Sequence, residues 1–190
     1  ERALASADKL EATMPIVGHV VHMPAHIYVR VGQYDKAIDS NLRSVDVDRQ
    51  FLEIWGDLPF PSIGTYPLSA KIHPPHAIDF IKYAATVQGN YEVAIKAAKD
   101  MEALMDPNNL GAVRAQTAIA GPWLINKIFG KWDALLNTKR PAQGTPYLDG
   151  IWSYVIGSAH LANGEVSKAE IELEKIKLIL SMDNMSFIFS

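Results

Sequence analysis

Cysteine is absent from the 190 residues. Its absence removes disulfides, thiolate metal ligands and cysteine nucleophiles together, and leaves the redox compartment undetermined. No run approaches the roughly 18 to 20 uninterrupted apolar residues that span a bilayer, and no basic segment followed by an apolar one opens the chain. The chain therefore reads as soluble, cytoplasmic or exported, with no membrane span. Positive charge is neither abundant nor clustered: 18 Lys and Arg are scattered against 21 Asp and Glu, for a net charge of −3. The basic stripe of a nucleic-acid binder is missing, so nucleic acid is set aside as a partner. Catalytic motifs are scarce too. There is no Gly-x-Ser-x-Gly elbow, residues 121–131 have the wrong spacing for a phosphate-binding loop, and the pair His22 and His26 lacks the glutamate that a zincin uses as general base. No catalytic residue is assigned.

What is present is a small pattern written four times. It reads Gly32-Gln33-Tyr34-Asp35-Lys36-Ala37-Ile38, Gly89-Asn90-Tyr91-Glu92-Val93-Ala94-Ile95, Gly130-Lys131-Trp132-Asp133-Ala134-Leu135 and Gly164-Glu165-Val166-Ser167-Lys168-Ala169. Glycine supplies the backbone angles of a tight interhelical turn, and the aromatic or branched residue two places on starts the next helix. Four such turns predict an all-α stack of helical hairpins, an α-solenoid, with hairpins over about 19–50, 76–105, 113–137 and 147–180. Hydrophobic content of 48% over this length suits one extended core, so 1–190 is read as a single helical-repeat segment.

Residues 2–13 carry apolar positions at helical spacing and end at Pro15 and Gly18. They resemble the second helix of a hairpin whose first helix is missing. With Glu1 in place of an initiating methionine, a fragment of a longer chain or a processed product is expected. The turn glycines are spaced 57, 41 and 34 residues apart. The long first interval holds residues 51–75, with Trp55, Phe60, Tyr66, Pro59, Pro61, Pro67, Pro74 and Pro75. That is too much proline for a helix and too many aromatics for a disordered linker, so an ordered loop is expected there. The tail at 181–190 is weakly apolar, contains the glycosylation-like triplet Asn184-Met185-Ser186, and is assigned no place.

These residues resemble a tetratricopeptide-repeat protein. Aligned on Gly32, the residues Tyr28, Tyr34, Ala37 and Asp48 fall on preferred positions of that repeat, as do Gly157, Gly164, Ala169 and Ile176 in the last hairpin. Pro24-Ala25 and Lys82 depart from its small-residue position, which makes the repeats divergent. The string His22-Met23-Pro24-Ala25-His26-Ile27-Tyr28-Val29-Arg30-Val31-Gly32-Gln33-Tyr34 is similar to a motif in a group of bacterial tetratricopeptide-repeat proteins without an assigned activity. The similarity extends through His76 to Phe80, residues 129–133 and residues 151–154. It implies a further His-rich helix upstream of Glu1 and, at the position of Asp79, often a histidine.

Five of six histidines form two clusters: His19, His22 and His26, then His73 and His76. Spacings of three and four put the first three along one stripe of a helix. In the tetratricopeptide frame they take the second, fifth and ninth positions, which the resemblance implies face a concave groove, and His76, Asp79 and Tyr83 take the same positions one hairpin later. Imidazole and carboxylate are the donors that a borderline divalent metal prefers, so zinc, copper or nickel would suit His22, His26, His76 and Asp79. His19, Arg30 and Tyr83 are read as groove residues, Arg30 as a guanidinium that can hold a ligand carboxylate or pair with a nearby acid. The alternative is a metal-independent scaffold that takes a peptide or protein in the groove, its histidines being ordinary hydrogen-bonded polar residues. A further reading is a metal-dependent hydrolase with Asp79 or Tyr83 carrying protons. Tyr28, Tyr34, Trp132 and Trp152 are expected in the core.

Overall fold

The computed structural model describes residues 2–55, 73–106, 110–140 and 144–181. Among these the chain is all-helical, with ten helices and no strand. They are α1 (Arg2–Thr13), α2 (Gly18–His22), α3 (Ala25–Arg30), α4 (Tyr34–Trp55), α5 (His73–Gln88), α6 (Tyr91–Ala103), α7 (Val113–Ile128), α8 (Trp132–Leu136), α9 (Pro146–Ala162) and α10 (Val166–Leu180). No helix of the described residues is long and apolar enough to cross a membrane.

The four motif glycines all occupy the same turn. Gly32, Gly89, Gly130 and Gly164 have φ of 76°, 82°, 64° and 75°, the left-handed region that side chains with a Cβ avoid. In each turn the residue after the glycine donates its N–H to a carbonyl five residues back. Gln33 bonds Tyr28 at 2.9 Å, Asn90 bonds Ala85 at 2.8 Å, Lys131 bonds Asn126 at 2.8 Å and Glu165 bonds His160 at 2.9 Å. This is the Schellman ending, which satisfies the last carbonyls of one helix while reversing the chain.

One expected helix is two. The run from His19 to Val31 divides into α2 and α3 at Met23 and Pro24. Proline lacks the N–H that would continue the ladder, and the next bonds tighten, with His26 N–H reaching Met23 at 3.3 Å and Ile27 N–H reaching Pro24 at 2.9 Å. Met23 and Pro24 nonetheless keep right-handed helical angles. The stripe therefore continues through the break, and His22 and His26 stay one turn apart. The region expected as a loop at 51–75 is helical at both margins: α4 runs on to Trp55, and α5 begins at His73, with Pro74 and Pro75 in a first turn that needs no amide donor. Residues 56–72 of that expected loop, and residues 182–190 of the tail, lie outside the described residues.

The chain separates into two compact units, Glu1–Asp100 and Met101–Ser190. In the first, α4 packs on α2, α3 and α5, and α1 packs on α2 and α3. The contacts are dominated by alanine: Ala7, Ala25, Ala37, Ala77, Ala84, Ala85, Ala94 and Ala98 are all buried, which lets helix axes approach closely. Tyr28 fixes α1 to α3. Its hydroxyl donates to Asp8 at 2.9 Å, and burial together with this carboxylate pushes its pKa up to about 12. Arg43 grips Glu11 with two bonds, at 2.5 and 2.6 Å.

In the second unit α9 packs on α7, α8 and α10. Its core joins Ile119, Trp123, Leu135, Leu148, Val155 and Ile156, with Trp132 and Trp152 packed against it. Trp123 and Trp152 meet edge to face at 5.0 Å.

Candidate metal centre

The first unit's α4 buries polar residues on a face where a packed helix ordinarily presents apolar ones. Ser40, Asn41 and Ser44 are inaccessible to solvent and Asp48 nearly so. Their spacing places them along the line where α4 meets α2. Ser44 donates its hydroxyl to the Gly18 carbonyl at 2.9 Å. A Cβ on Gly18 would lie 2.0 Å from Asp48 Oδ1, so glycine is what allows α2 to sit this close to α4. The result is a short helix held against a polar seam, with His22 at its end.

His22 is 0% exposed. Its Nδ1 lies 2.6 Å from Asn41 Oδ1, while Asn41 Nδ2 donates to the Ala37 carbonyl at 2.7 Å. The second bond fixes which way the amide points, so Asn41 offers His22 an acceptor and the proton is assigned to Nδ1. In neutral His22 the Nε2 is then the unprotonated acceptor, hydrogen-bonded to His26 Nε2 at 3.0 Å. This is the arrangement of an outer hydrogen bond that sets the tautomer of a metal-ligating imidazole.

Three helices bring the donors together: α2 supplies His22, α3 His26 and α5 His76. One ring nitrogen from each lies within 4.8 Å of the others, with His22 buried, His26 half-buried and His76 exposed. This triad is close enough to hold a metal ion. Tetrahedral zinc at about 2.0–2.1 Å from each nitrogen needs donors about 3.3 Å apart, so an ion held by all three would draw the more distant nitrogens inward. His76 is the exposed member of the three.

Phe80, one turn after His76 on α5, lies against all three rings, with centroids 4.9 Å from His22, 4.5 Å from His26 and 5.1 Å from His76. It gives the triad an apolar wall. The pKa of His26 is lowered, first by burial and then by the positive charge of His19 and Arg30. Burial penalises the imidazolium, so His26 stays in the neutral form that ligates.

The other residues singled out from sequence sit around this centre without joining it. Asp79 is exposed, and its carboxylate pairs with Lys82 at 2.5 Å. It is not among the clustered donors. The His19 ring is 6.1 Å from that of His22. Tyr83 is 52% exposed. Arg30 is exposed at the end of α3, one turn beyond His26. Two residues that sequence reasoning passed over, Asn41 and Phe80, make the triad's surroundings. The signal for Asn41 was its membership in Ser40, Asn41, Ser44 and Asp48, four polar residues at helical spacing on a face that the hairpin reading requires to be packed. Phe80 carried no signal of its own beyond its i+4 spacing from His76.

The second unit carries a separate concavity, an apolar cleft of ≈ 300 Å³ between α9 and α10, lined in part by Gly157, Leu161, Val166, Leu173 and Ile176. Comparison with known proteins finds no matching family model, no matching curated protein and no matching solved structure.

Proposed function

We propose that this chain is a helical-repeat binding protein of divergent tetratricopeptide-like hairpins whose first unit holds a divalent transition metal (zinc, copper or nickel) at His22, His26 and His76. The observation that carries the reading is the orientation of His22: a fully buried imidazole whose Nδ1 is engaged by Asn41 and whose Nε2 is turned toward a second imidazole 3.0 Å away. Asn41 and His26 between them satisfy both ring nitrogens of His22; what goes beyond a hydrogen-bonded pair is the third ring, since His76 brings a nitrogen within 4.8 Å of the other two. Titration with zinc, read by calorimetry and thermal shift, tests the proposal. Binding to the native state alone stabilises it by about 2.7 kcal/mol at a free concentration 100 times the Kd. The parent is expected to show one site and this stabilisation, and the His22→Ala, His26→Ala double variant neither. Equal behaviour of the two proteins rejects the site.

A second reading, metal-independent recognition of a peptide or protein, is favoured by the cleft between α9 and α10 and by the exposure of Leu161 and Leu173 there. Exposed apolar surface of this kind marks association surfaces. A partner whose affinity is unchanged by chelator and by the double variant would favour this reading over the first.

A further inference from the structure

Three neutral imidazoles leave the double positive charge of a divalent ion uncompensated. Here the ion would sit beside the Phe80 ring and against the buried His22, where solvent is excluded on one side. A charge in such a place is stabilised by an anion within reach, and tetrahedral coordination has one position left for it. The chain does not supply that anion among the described residues: Asp79, the acid one turn along from His76, is held by Lys82, and no carboxylate joins the three donors.

The rim of the site carries a guanidinium instead. Arg30 stands one helical turn beyond His26 on α3, exposed, and forms no ion pair among the described residues. His22, His26 and Arg30 succeed one another at four-residue intervals, the spacing that places side chains along one helix face. His19 is one turn before His22 on the same stripe. The triad reaches the surface at His76, its exposed member.

We propose that the metal held by His22, His26 and His76 keeps its fourth position for an external carboxylate, one oxygen on the ion and the other on the Arg30 guanidinium. This inference rests on the metal-binding reading above. A carboxylate supplies the charge that the protein omits, and it matches the planar two-donor face of arginine. The carboxylate of a small organic acid and the C-terminus of a peptide share this chemistry.

Cobalt(II) in place of the native ion gives the test, because its visible absorption reports ligand changes at the metal. Cobalt-loaded protein is titrated with acetate, with a short peptide bearing a free C-terminus and with the same peptide amidated. Acetate and the free-acid peptide are expected to shift the spectrum in a saturable way and the amide to leave it unchanged. At equal cobalt loading, Arg30→Gln is expected to weaken carboxylate binding about tenfold. A peptide that binds more tightly than acetate supports the proposal with a C-terminus as the ligand, and equal affinities support it with a small acid. A cobalt spectrum that no carboxylate moves, or an Arg30→Gln variant that binds carboxylate as well as the parent, overturns the proposal while leaving the metal site intact. Failure to bind cobalt, zinc, copper and nickel alike overturns the metal reading and this inference with it.

Discussion

Replacing Asn41 with leucine removes the acceptor for the His22 Nδ1 proton while filling similar volume. Two consequences follow from the geometry. His22 is inaccessible to solvent and its bond to Asn41 is 2.6 Å long, so the orphaned donor has no water to turn to. Leaving such a group unsatisfied costs about 1–3 kcal/mol of stability. The second consequence is specific to the metal reading: once nothing holds the proton on Nδ1, the imidazole samples the tautomer in which Nε2 carries it and cannot ligate. Loss of an outer-shell partner typically lowers metal affinity 10- to 100-fold, about 1.4–2.7 kcal/mol. Asn41→Asp is the companion variant: it keeps an acceptor for His22 while giving up the bond to the Ala37 carbonyl. Zinc affinity by competition with a chromophoric chelator, beside the denaturation midpoint without metal, separates the two effects. Asn41→Leu is expected to lose both stability and affinity, and Asn41→Asp to keep affinity within a fewfold of the parent. An Asn41→Leu protein that stays folded and binds zinc as tightly as the parent would refute the role assigned to this contact.

Three further outcomes are expected. The lowered pKa of His26 means that the folded state resists its protonation while the unfolded chain accepts a proton near 6.5. Stability of the metal-free protein should therefore fall as pH drops below about 6.5, by thermal melts across pH 8 to 5, and His26→Gln should flatten that dependence. Metal affinity should fall over the same range because imidazoles must be neutral to ligate; affinity unchanged from pH 7.5 to 5.5 would contradict the donor assignment. Gly18→Ala places a Cβ 2.0 Å from Oδ1 of the buried Asp48. It should cost about 1–3 kcal/mol in chemical denaturation and loosen zinc binding by displacing α2, and a neutral result would show that Asp48 yields easily.

The four turns were legible in the sequence because everything that makes them is local: a glycine in the left-handed region, and a carbonyl five residues before the residue that follows it. The histidine stripe was legible for the same reason, since spacings of three and four survive the break at Pro24. The exact course of the chain there was not, because proline at an early helical position is tolerated and only the tightened bonds around His26 show that the ladder lapses. Asn41 and Phe80 were missed because each acts across a helix interface, and no spacing within one helix announces a contact between α2 and α4 or between α3 and α5. Asp79 shows the converse. Periodicity put it on the same stripe as His76, while its carboxylate pairs with Lys82, three residues along, and stays outside the donor cluster. A face is readable from one helix, but the partner that a side chain chooses on that face is not.

Elemental analysis of the chain purified without affinity tag or chelator, beside the His22→Ala, His26→Ala double variant, tests the central claim most directly. The account predicts close to one zinc, copper or nickel ion per chain in the parent and none in the variant. Metal absent from both after saturation with zinc and desalting, or present in both alike, would contradict it.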